Sequence, residues 1–389
     1  MNVFCDNMSE TNKSNAGDLN HSFACENFFE IDGSVMEGGG QVLRMSAGLS
    51  ALLARPIRIV KVRAGRAKPG LKSQHASGLC LIRDLSRGRL EGATIGSGQV
   101  SFQPGPLNPG HFSADTQTAG AVCLLAQISL PCALFAPGPV SLDLRGGTNC
   151  DMAPQIDEFT EILLPNLERF GVSVDYEVVR KGFFPQGGGI VNFFIKPIKK
   201  LQPVRLTDPG KVEKIYGWSF VAGNLPLRVA EQMTEAAVKH LNSSGCDDIK
   251  NIQIDIETYK EDRDCCPSNG SGIVLVAKTT TGCILGGSAL GSSKLSSHRT
   301  GVKAAEEFLE AVECGGCVDK HIQDQLIIFM ALAAGRSELV TGPLTLHTET
   351  AIHIAEKLTG AKFTIENCPD NNRGWLITCE GIGFTNKNL

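Results

Sequence analysis

Between Arg63 and His75, four basic side chains and a histidine fall within thirteen residues: Arg63-Ala64-Gly65-Arg66-Ala67-Lys68-Pro69-Gly70-Leu71-Lys72-Ser73-Gln74-His75. Guanidinium forks and ammonium groups grip phosphate oxygens through charge-assisted hydrogen bonds. The stretch is therefore a phosphate or RNA-backbone site, or a solvated basic loop, and Pro69-Gly70 makes it a loop in either case. A second stretch, Glu37-Gly38-Gly39-Gly40-Gln41-Val42-Leu43-Arg44, is a glycine turn feeding a helix. Free N–H groups at the positive end of a helix dipole favour an anion, although the same glycines also suit a plain tight turn. It is neither a Walker A loop nor a dinucleotide fingerprint, because the Gly-Lys-Ser/Thr ending and the Gly-x-Gly-x-x-Gly spacing are absent. A third stretch, Thr345-Leu346-His347-Thr348-Glu349-Thr350-Ala351-Ile352-His353, sets a histidine where strand-like Leu339 to Leu346 gives way to a helix. Reacting groups of α/β proteins sit at such strand ends. A helix start also lowers an imidazole's pKa and attracts phosphate, so a neutral ring nitrogen could attack phosphorus there. A lone histidine can equally be structural. His353 lies about 240° further round the helix and does not share the face of His347.

Weaker signals complete the set. Gly146-Gly147-Thr148-Asn149 followed by Met152-Ala153-Pro154-Gln155 is another glycine turn before a helix, Ile156 to Phe170, where proline at the first turn is a common structural choice. Cys314-x-x-Cys317 has the spacing of zinc ligands, but no second Cys or His pair follows nearby, and the glycines between suit a turn. No Gly-x-Ser-x-Gly elbow supports Ser-His-Asp hydrolysis.

These stretches need a scaffold, and the chain is long enough for about two to three domains at roughly 150 residues each. Of its 389 residues, 42% are apolar, which supports ordinary cores. The formal charge of −4, from 37 basic and 41 acidic residues, gives no bulk pull toward nucleic acid or anionic lipid. Any such contact must come from a local patch. The 14 cysteines sit in a large chain whose start shows no charged-then-apolar run, so the expectation is reduced thiols in cytosol or nucleus. The apolar stretch Ala119 to Ala136 comes nearest to a membrane span, but Gln127, Ser129 and Pro131 break it.

From Phe28 short apolar runs such as Ile57 to Val60 alternate with helical stretches such as Val42 to Leu53, an α/β rhythm. Residues 1–25 are polar and lack periodicity, as expected of a disordered tail. The rhythm repeats loosely, with glycine triplets at Gly38-Gly39-Gly40 and Gly187-Gly188-Gly189. Helices Thr116 to Gln127 and Thr348 to Leu358 are alike in setting, which suggests two or three copies of a βαβ-containing unit. After Pro209-Gly210 a different series begins: strand-like Ile215 to Ala222, helical Pro226 to Leu241, strand-like Ile252 to Thr258 and Ile273 to Thr279, and helical Val302 to Val312. A loop from Cys265 to Gly272 lies among them. The expected architecture is α/β (α+β): a large domain over 26–208 and 315–389, with an inserted small α/β domain at 209–314.

Taken together, Glu37 to Arg44, Arg63-Ala-Gly-Arg-Ala-Lys-Pro-Gly-Leu71, Gln74-His75, Gly146-Gly-Thr-Asn149 and the His347 turn resemble the RNA 3'-terminal phosphate cyclases. The likeness runs from about Phe28 to the carboxyl end, and the string Arg-Ala-Gly-Arg-x-x-Pro-Gly-Leu is its most specific part. The family's three related α/β units with an inserted small domain agree with the layout above. The resemblance implies an ATP-dependent, three-step conversion of an RNA 3'-phosphate to a 2',3'-cyclic phosphate. A histidine takes AMP from ATP, AMP passes to the RNA 3'-phosphate, and the neighbouring 2'-hydroxyl displaces it. His347, in the pattern His-x-x-Thr-x-Ile, matches the nucleophile. Glu37 matches a carboxylate near a divalent cation, Mg²⁺ or Mn²⁺. Arg44, Arg63, Arg66, Gln74 and His75 match positions facing phosphates or the RNA end. The ATP pocket maps onto Gln127, Pro154, His321, Asp324 and Gln325 together with His347; where near cyclases carry tyrosine, this chain has His321. The resemblance also favours the nucleus, and no membrane is implied. Two other classes fit parts of the pattern. One is a non-catalytic relative used in ribosomal RNA processing, which lacks the histidine; the other is an enolpyruvyl-transferase-like enzyme. Labelling with ATP carrying a tagged α-phosphate separates the cyclase, which should take up acid-labile AMP, from the other two, which should not.

Overall fold

The computed structural model describes residues 27–262, 266, 268–368 and 374–389. The expected tail at 1–25, and Cys265 and Pro267 of the expected loop, lie outside the described residues. Among the described residues sixteen strands form four four-stranded sheets. The first holds β1 (Phe29–Asp32), β2 (Ile57–Val60), β3 (Arg89–Glu91) and β4 (Val100–Gln103) in the order β1-β2-β4-β3. The second holds β5 (Gly110–Asp115), β6 (Val140–Gly146), β7 (Val174–Arg180) and β8 (Gly189–Ile195) in the order β5-β6-β8-β7. In the third, β9 (Arg205–Leu206), β14 (Arg336–Thr341), β15 (Lys362–Asn367) and β16 (Trp375–Glu380) repeat that order as β9-β14-β16-β15. In each sheet the first two strands are parallel and the remaining pairings antiparallel. A parallel pair requires a crossover, and each unit supplies a helix for it.

The crossover helices are α1 (Gly40–Leu52), α3 (Val122–Leu134) and α8 (Gln323–Leu332). A second helix follows the second strand of each unit: α2 (Ser73–Leu85), α4 (Ile156–Glu158) continued through a π turn at Phe159–Leu163 into α5 (Leu164–Glu168), and α9 (Leu346–Thr359). There are thus three copies of one βαβαββ unit. The two helices that look alike in sequence are not equivalent: α3 is the first helix of its unit and α9 the second. Only a two-residue strand, β9, opens the third unit, so its start is all but invisible in the pattern.

Burial explains the apolar stretch at Ala119 to Ala136. In α3 every residue except Leu124 and Gln127 is buried, and a helix apolar all round belongs in a protein interior or a membrane. Here it lies in the middle of one core that runs through all three units. Ser129 meets its buried hydroxyl's need locally, donating to the Leu125 carbonyl at 2.7 Å. Among the described residues no helix is long and apolar enough to cross a membrane.

Between β9 and α8 lies the fourth sheet, β10 (Val212–Ala222), β11 (Ile254–Lys260), β12 (Gly270–Thr279) and β13 (Ile284–Leu290), in the order β11-β10-β12-β13. Helices α6 (Arg228–Ser243) and α7 (Ser297–Glu313) cover it and share a separate apolar cluster. The two helices meet closely at Gly301, where a β-carbon would run into the backbone carbonyl of Met233. Alanine is the better helix former by about 1 kcal/mol. Gly301→Ala is nevertheless expected to destabilise the protein by about 1–3 kcal/mol through overpacking, seen as unfolding at lower urea. Unchanged or raised stability would show that the helices do not pack this tightly.

Candidate active site

The three crossover helices converge on a cavity of about 30 Å³ lined by Gln41 and Arg44 of α1, Gln127 of α3, and Asp324 and Gln325 of α8. That is room for about one water molecule. The polar side chains are spent on one another. Arg44 Nε donates to Gln127 Oε1 at 2.8 Å, Gln127 Nε2 to Gln325 Oε1 at 3.1 Å, and Gln325 Nε2 to the His321 carbonyl at 2.7 Å. Gln41 Nε2 donates to Asp324 Oδ2 at 2.6 Å. Burial pushes the Asp324 carboxyl up to about 7, with Arg44 opposing. The same burial brings Arg44 down to about 10, against the pull of Asp324, so it stays a cation at neutral pH.

His347 stands at the mouth of this arrangement. Strand β14 ends at Thr341, earlier than the apolar pattern implies, because Gly342-Pro343 interrupts it. The histidine is the second residue of α9. Thr345 caps that helix, accepting from the Thr348 N–H at 3.1 Å. Gln323, 1% exposed, holds the turn from beneath: its Oε1 accepts from Thr345 N at 2.9 Å and from Thr348 Oγ1 at 2.6 Å. Its Nε2 donates to Thr341 Oγ1 at 2.6 Å and to the Pro343 carbonyl at 3.3 Å. His347 is exposed, and its Nδ1 lies 3.1 Å from Gln41 Oε1. A carboxamide oxygen only accepts, so with Gln41 Nε2 committed to the ionised form of Asp324 the proton sits on Nδ1 and Nε2 keeps its lone pair. Partial desolvation of the ring by its neighbours first, and then the positive charges of Arg44, Arg66 and His321, hold this imidazole below its ordinary pKa of 6.5.

Glu37 enters from the glycine turn before α1. Its N–H donates to Thr350 Oγ1 at 3.2 Å, joining this turn to α9. Arg66 Nη2 donates to the Glu37 carbonyl at 3.0 Å and pairs with carboxylate oxygen Oε1. The other oxygen, Oε2, is buried without a hydrogen-bond partner. A buried carboxylate oxygen left open fits a hard divalent cation. Among the described residues no cluster of three or more His, Cys, Asp or Glu side chains could hold a metal, so Cys314 and Cys317 do not form part of such a set.

The basic loop divides into two roles. Arg63, in the left-handed region at φ 52° and only 8% exposed, donates from Nη1 to the Lys68 and Gly70 carbonyls at 2.9 and 2.7 Å. It shapes the loop, while Arg66, Lys68 and Lys72 are the cations left toward solvent. His75 is buried; its Nδ1 accepts from Lys72 N at 3.0 Å. Burial, followed by the charges of Arg44, Arg63 and Lys72, drives its pKa down to about 3. At Gly40 a β-carbon would come within 2.6 Å of His75 Nε2 and 2.9 Å of Arg44 Nη1, so the absence of a side chain lets both groups gather at the α1 start. Gln74 Oε1 accepts from Ala121 N at 3.1 Å, tying α2 to the start of α3.

The structure thus gathers these residues into two hydrogen-bond chains, Arg44-Gln127-Gln325 and Asp324-Gln41-His347, coupled by the opposite charges of Arg44 and Asp324, with the Glu37–Arg66 pair and His75 on their borders. His321 enters through its carbonyl. Pro154 is separate from these bonds, half-buried in the turn before α4. Gln41 and Gln323 escaped the reading of the sequence as site residues. Gln41 stands inside the glycine stretch already singled out, whereas nothing local marks Gln323.

A family model described as RNA 3'-terminal phosphate cyclase matches residues 35–365. The chain belongs to that family. It is 40% identical over 93% of its length to a Drosophila melanogaster protein named RNA 3'-terminal phosphate cyclase, covering 99% of that protein. It is 39% identical to a Dictyostelium discoideum protein named probable RNA 3'-terminal phosphate cyclase, over 93% of this chain and 84% of that one. An Ignicoccus hospitalis protein with the first name is 38% identical over 91% of this chain and 98% of its own. The family match runs from just after β1 into β15 and takes in the inserted domain and every site residue just described. In this family member the His347 turn hangs on Gln323. Gln323→Leu, which strips four hydrogen bonds, two of them to the buried hydroxyls of Thr341 and Thr348, is expected to cost about 2–4 kcal/mol. Thermal or urea unfolding indistinguishable from wild type would remove Gln323 from that role.

Proposed function

We propose that the chain converts an RNA 3'-terminal phosphate to a 2',3'-cyclic phosphate, using ATP and a covalent His347–AMP intermediate. The observation that carries this reading is the neutral, exposed imidazole of His347 with its Nδ1–H held by Gln41. Such a ring presents a nucleophilic Nε2 at a helix start surrounded by positive charge. Nε2 attacks the α-phosphorus of ATP; the N–P bond forms, the P–O bond to pyrophosphate breaks, and pyrophosphate leaves. An oxygen of the RNA 3'-phosphate then attacks the same phosphorus, breaking the N–P bond and restoring the ring. Finally the 2'-oxygen attacks the RNA phosphorus, loses its proton, and AMP departs. Adenylation turns a phosphate oxygen that leaves poorly into one that leaves well, so ATP drives closure of a strained ring.

Each step concentrates negative charge, which the protein must neutralise and align. Arg44 at the cavity and Arg66 beside Glu37 are the fixed cations nearest His347 in its electrostatic surroundings. A divalent ion, Mg²⁺ or Mn²⁺, would be held by the open oxygen of Glu37 and would supply charge neutralisation at the phosphates. In this reading Gln127, Asp324 and Gln325, with Pro154 and His321 at the margins, accommodate the nucleotide. Entry requires the Arg44–Gln127 and Gln127–Gln325 bonds to part, since the cavity between them holds only about one water. Arg66 faces the RNA terminus, while Arg63, Gln74 and buried His75 serve that surface by holding the loop and the helix starts around it. Phosphate contacts carry no base information, so weak dependence on RNA sequence follows. A nuclear location belongs to the same reading and is supported by the resemblance alone.

Incubation with ATP labelled at the α-phosphate is expected to give acid-labile AMP on the wild-type protein and none on His347→Ala, with the circular dichroism of the two alike. Undiminished labelling of the variant would refute the nucleophile, and a wild type that takes up no AMP would favour the non-catalytic or enolpyruvyl-transferase reading. The attacking ring must be neutral, and its lowered pKa keeps it so further into acid. The acidic fall in adenylation rate is therefore expected below pH 6.5, the ordinary histidine value. A fall centred above 6.5 would contradict this electrostatic account.

A further inference from the structure

His321 lies just ahead of α8, its backbone tied to Gln325 of the cavity wall. Its backbone is fixed: His321 N and Ile322 N donate to Asp319 Oδ1 at 2.9 and 3.0 Å, and its carbonyl accepts from Gln325. Its ring is a half-open aromatic surface, 53% exposed. Among the described residues its ring has one direct side-chain partner, and that comes from the inserted domain. Glu307 of α7 sets Oε1 2.8 Å from His321 Nε2. The other Glu307 oxygen accepts from Ser288 N of β13 at 2.9 Å, so the carboxylate is anchored within its own domain.

We propose that Glu307 is a positioning residue of the nucleotide site, fixing the His321 ring in one orientation and charge state as a cationic face for the base of the bound nucleotide. The proposal rests on the ATP-dependent reading above and adds a task for the inserted domain. A charged, planar ring attracts an aromatic face through its quadrupole as well as by contact, so an ion-paired histidine can replace a neutral aromatic at such a wall. The ring's charged surroundings come from several elements. They are Glu307 from α7, Glu158 from α4, Asp319 and Lys320 from its own turn, and Asp324 from α8 with Arg44 beyond it. Lys320 lies 3.5 Å from the same Glu307 oxygen, and the charge of His321 is felt in turn at His347 of α9. The Glu307 hydrogen bond raises His321 to about 9 against the effect of burial, with Asp319 and Glu158 adding to it. Glu307 is correspondingly held down at about 2, against burial, by His321, Ser288 and Lys320.

The test uses the full chain, with Glu307→Gln, His321→Tyr and the double variant. By histidine-ring NMR, His321 is expected to remain protonated at about pH 8 in the wild type and to titrate lower in Glu307→Gln. In AMP labelling, Glu307→Gln is expected to raise half-saturating ATP by about tenfold and to change the limiting rate by less than about twofold. In the His321→Tyr background the same change is expected to alter half-saturation by less than about twofold, because its target is gone. Unaltered half-saturation in Glu307→Gln would overturn the proposal, as would an equal rise in both backgrounds, which marks a merely structural effect. If the wild type takes up no AMP, the enzymatic reading fails on its own. The dissociation constant of a fluorescent ATP analogue then reads the same cycle, and no binding, or binding indifferent to Glu307, overturns the proposal.

Discussion

The Gln41 carboxamide spans the gap between Asp324 and His347, and while Asp324 is ionised its two ends cannot be exchanged. Its nitrogen donates to a carboxylate and its oxygen accepts from a ring nitrogen. This one orientation decides which imidazole nitrogen holds the proton and leaves the other as the nucleophile. Everything else about His347 is arranged to keep that choice useful. Partial desolvation, and then Arg44, Arg66 and His321, disfavour a second proton, while its remaining exposure leaves the ring open to a substrate.

The constraint can operate because three units share one topology. Gln41 comes from the crossover helix of the first unit, Asp324 from that of the third, and His347 from the second helix of the third. The crossover helix of the second unit closes the cavity with Gln127 and is itself sunk in the common core. Superimposed plans with different side chains thus give a site that no single unit contains. The inserted domain interrupts the third unit between its first strand and crossover helix, directly ahead of His321 and Asp324. An insertion there can reach the cavity without disturbing any of the three sheets.

Much of this was legible in the residues, and the remainder fails for physical reasons. The α/β rhythm, the helix after the glycine turn, the basic loop and the histidine at a helix start were readable because each depends on local periodicity or on turn chemistry. Equivalence of the units was not, since it is set by strand pairings between distant residues and one opening strand is only Arg205–Leu206. Strand β13 was missed because Gly286-Gly287 breaks its apolar run; at both positions a side chain would strike a packed neighbour, Ile162 or Phe308. Arg63 reads as one more phosphate ligand until its left-handed backbone turns its guanidinium into the loop. Glu307 reads as an ordinary helix-surface acid, and only tertiary packing sets it against His321.

The central claim, a free Nε2 on His347 that takes AMP, is tested most directly by peptide-mapping mass spectrometry after incubation with ATP and magnesium. The account requires an added AMP on the peptide containing His347, lost on acid treatment. An adduct on any other residue, or an unmodified His347 peptide under conditions where ATP is consumed, would contradict it.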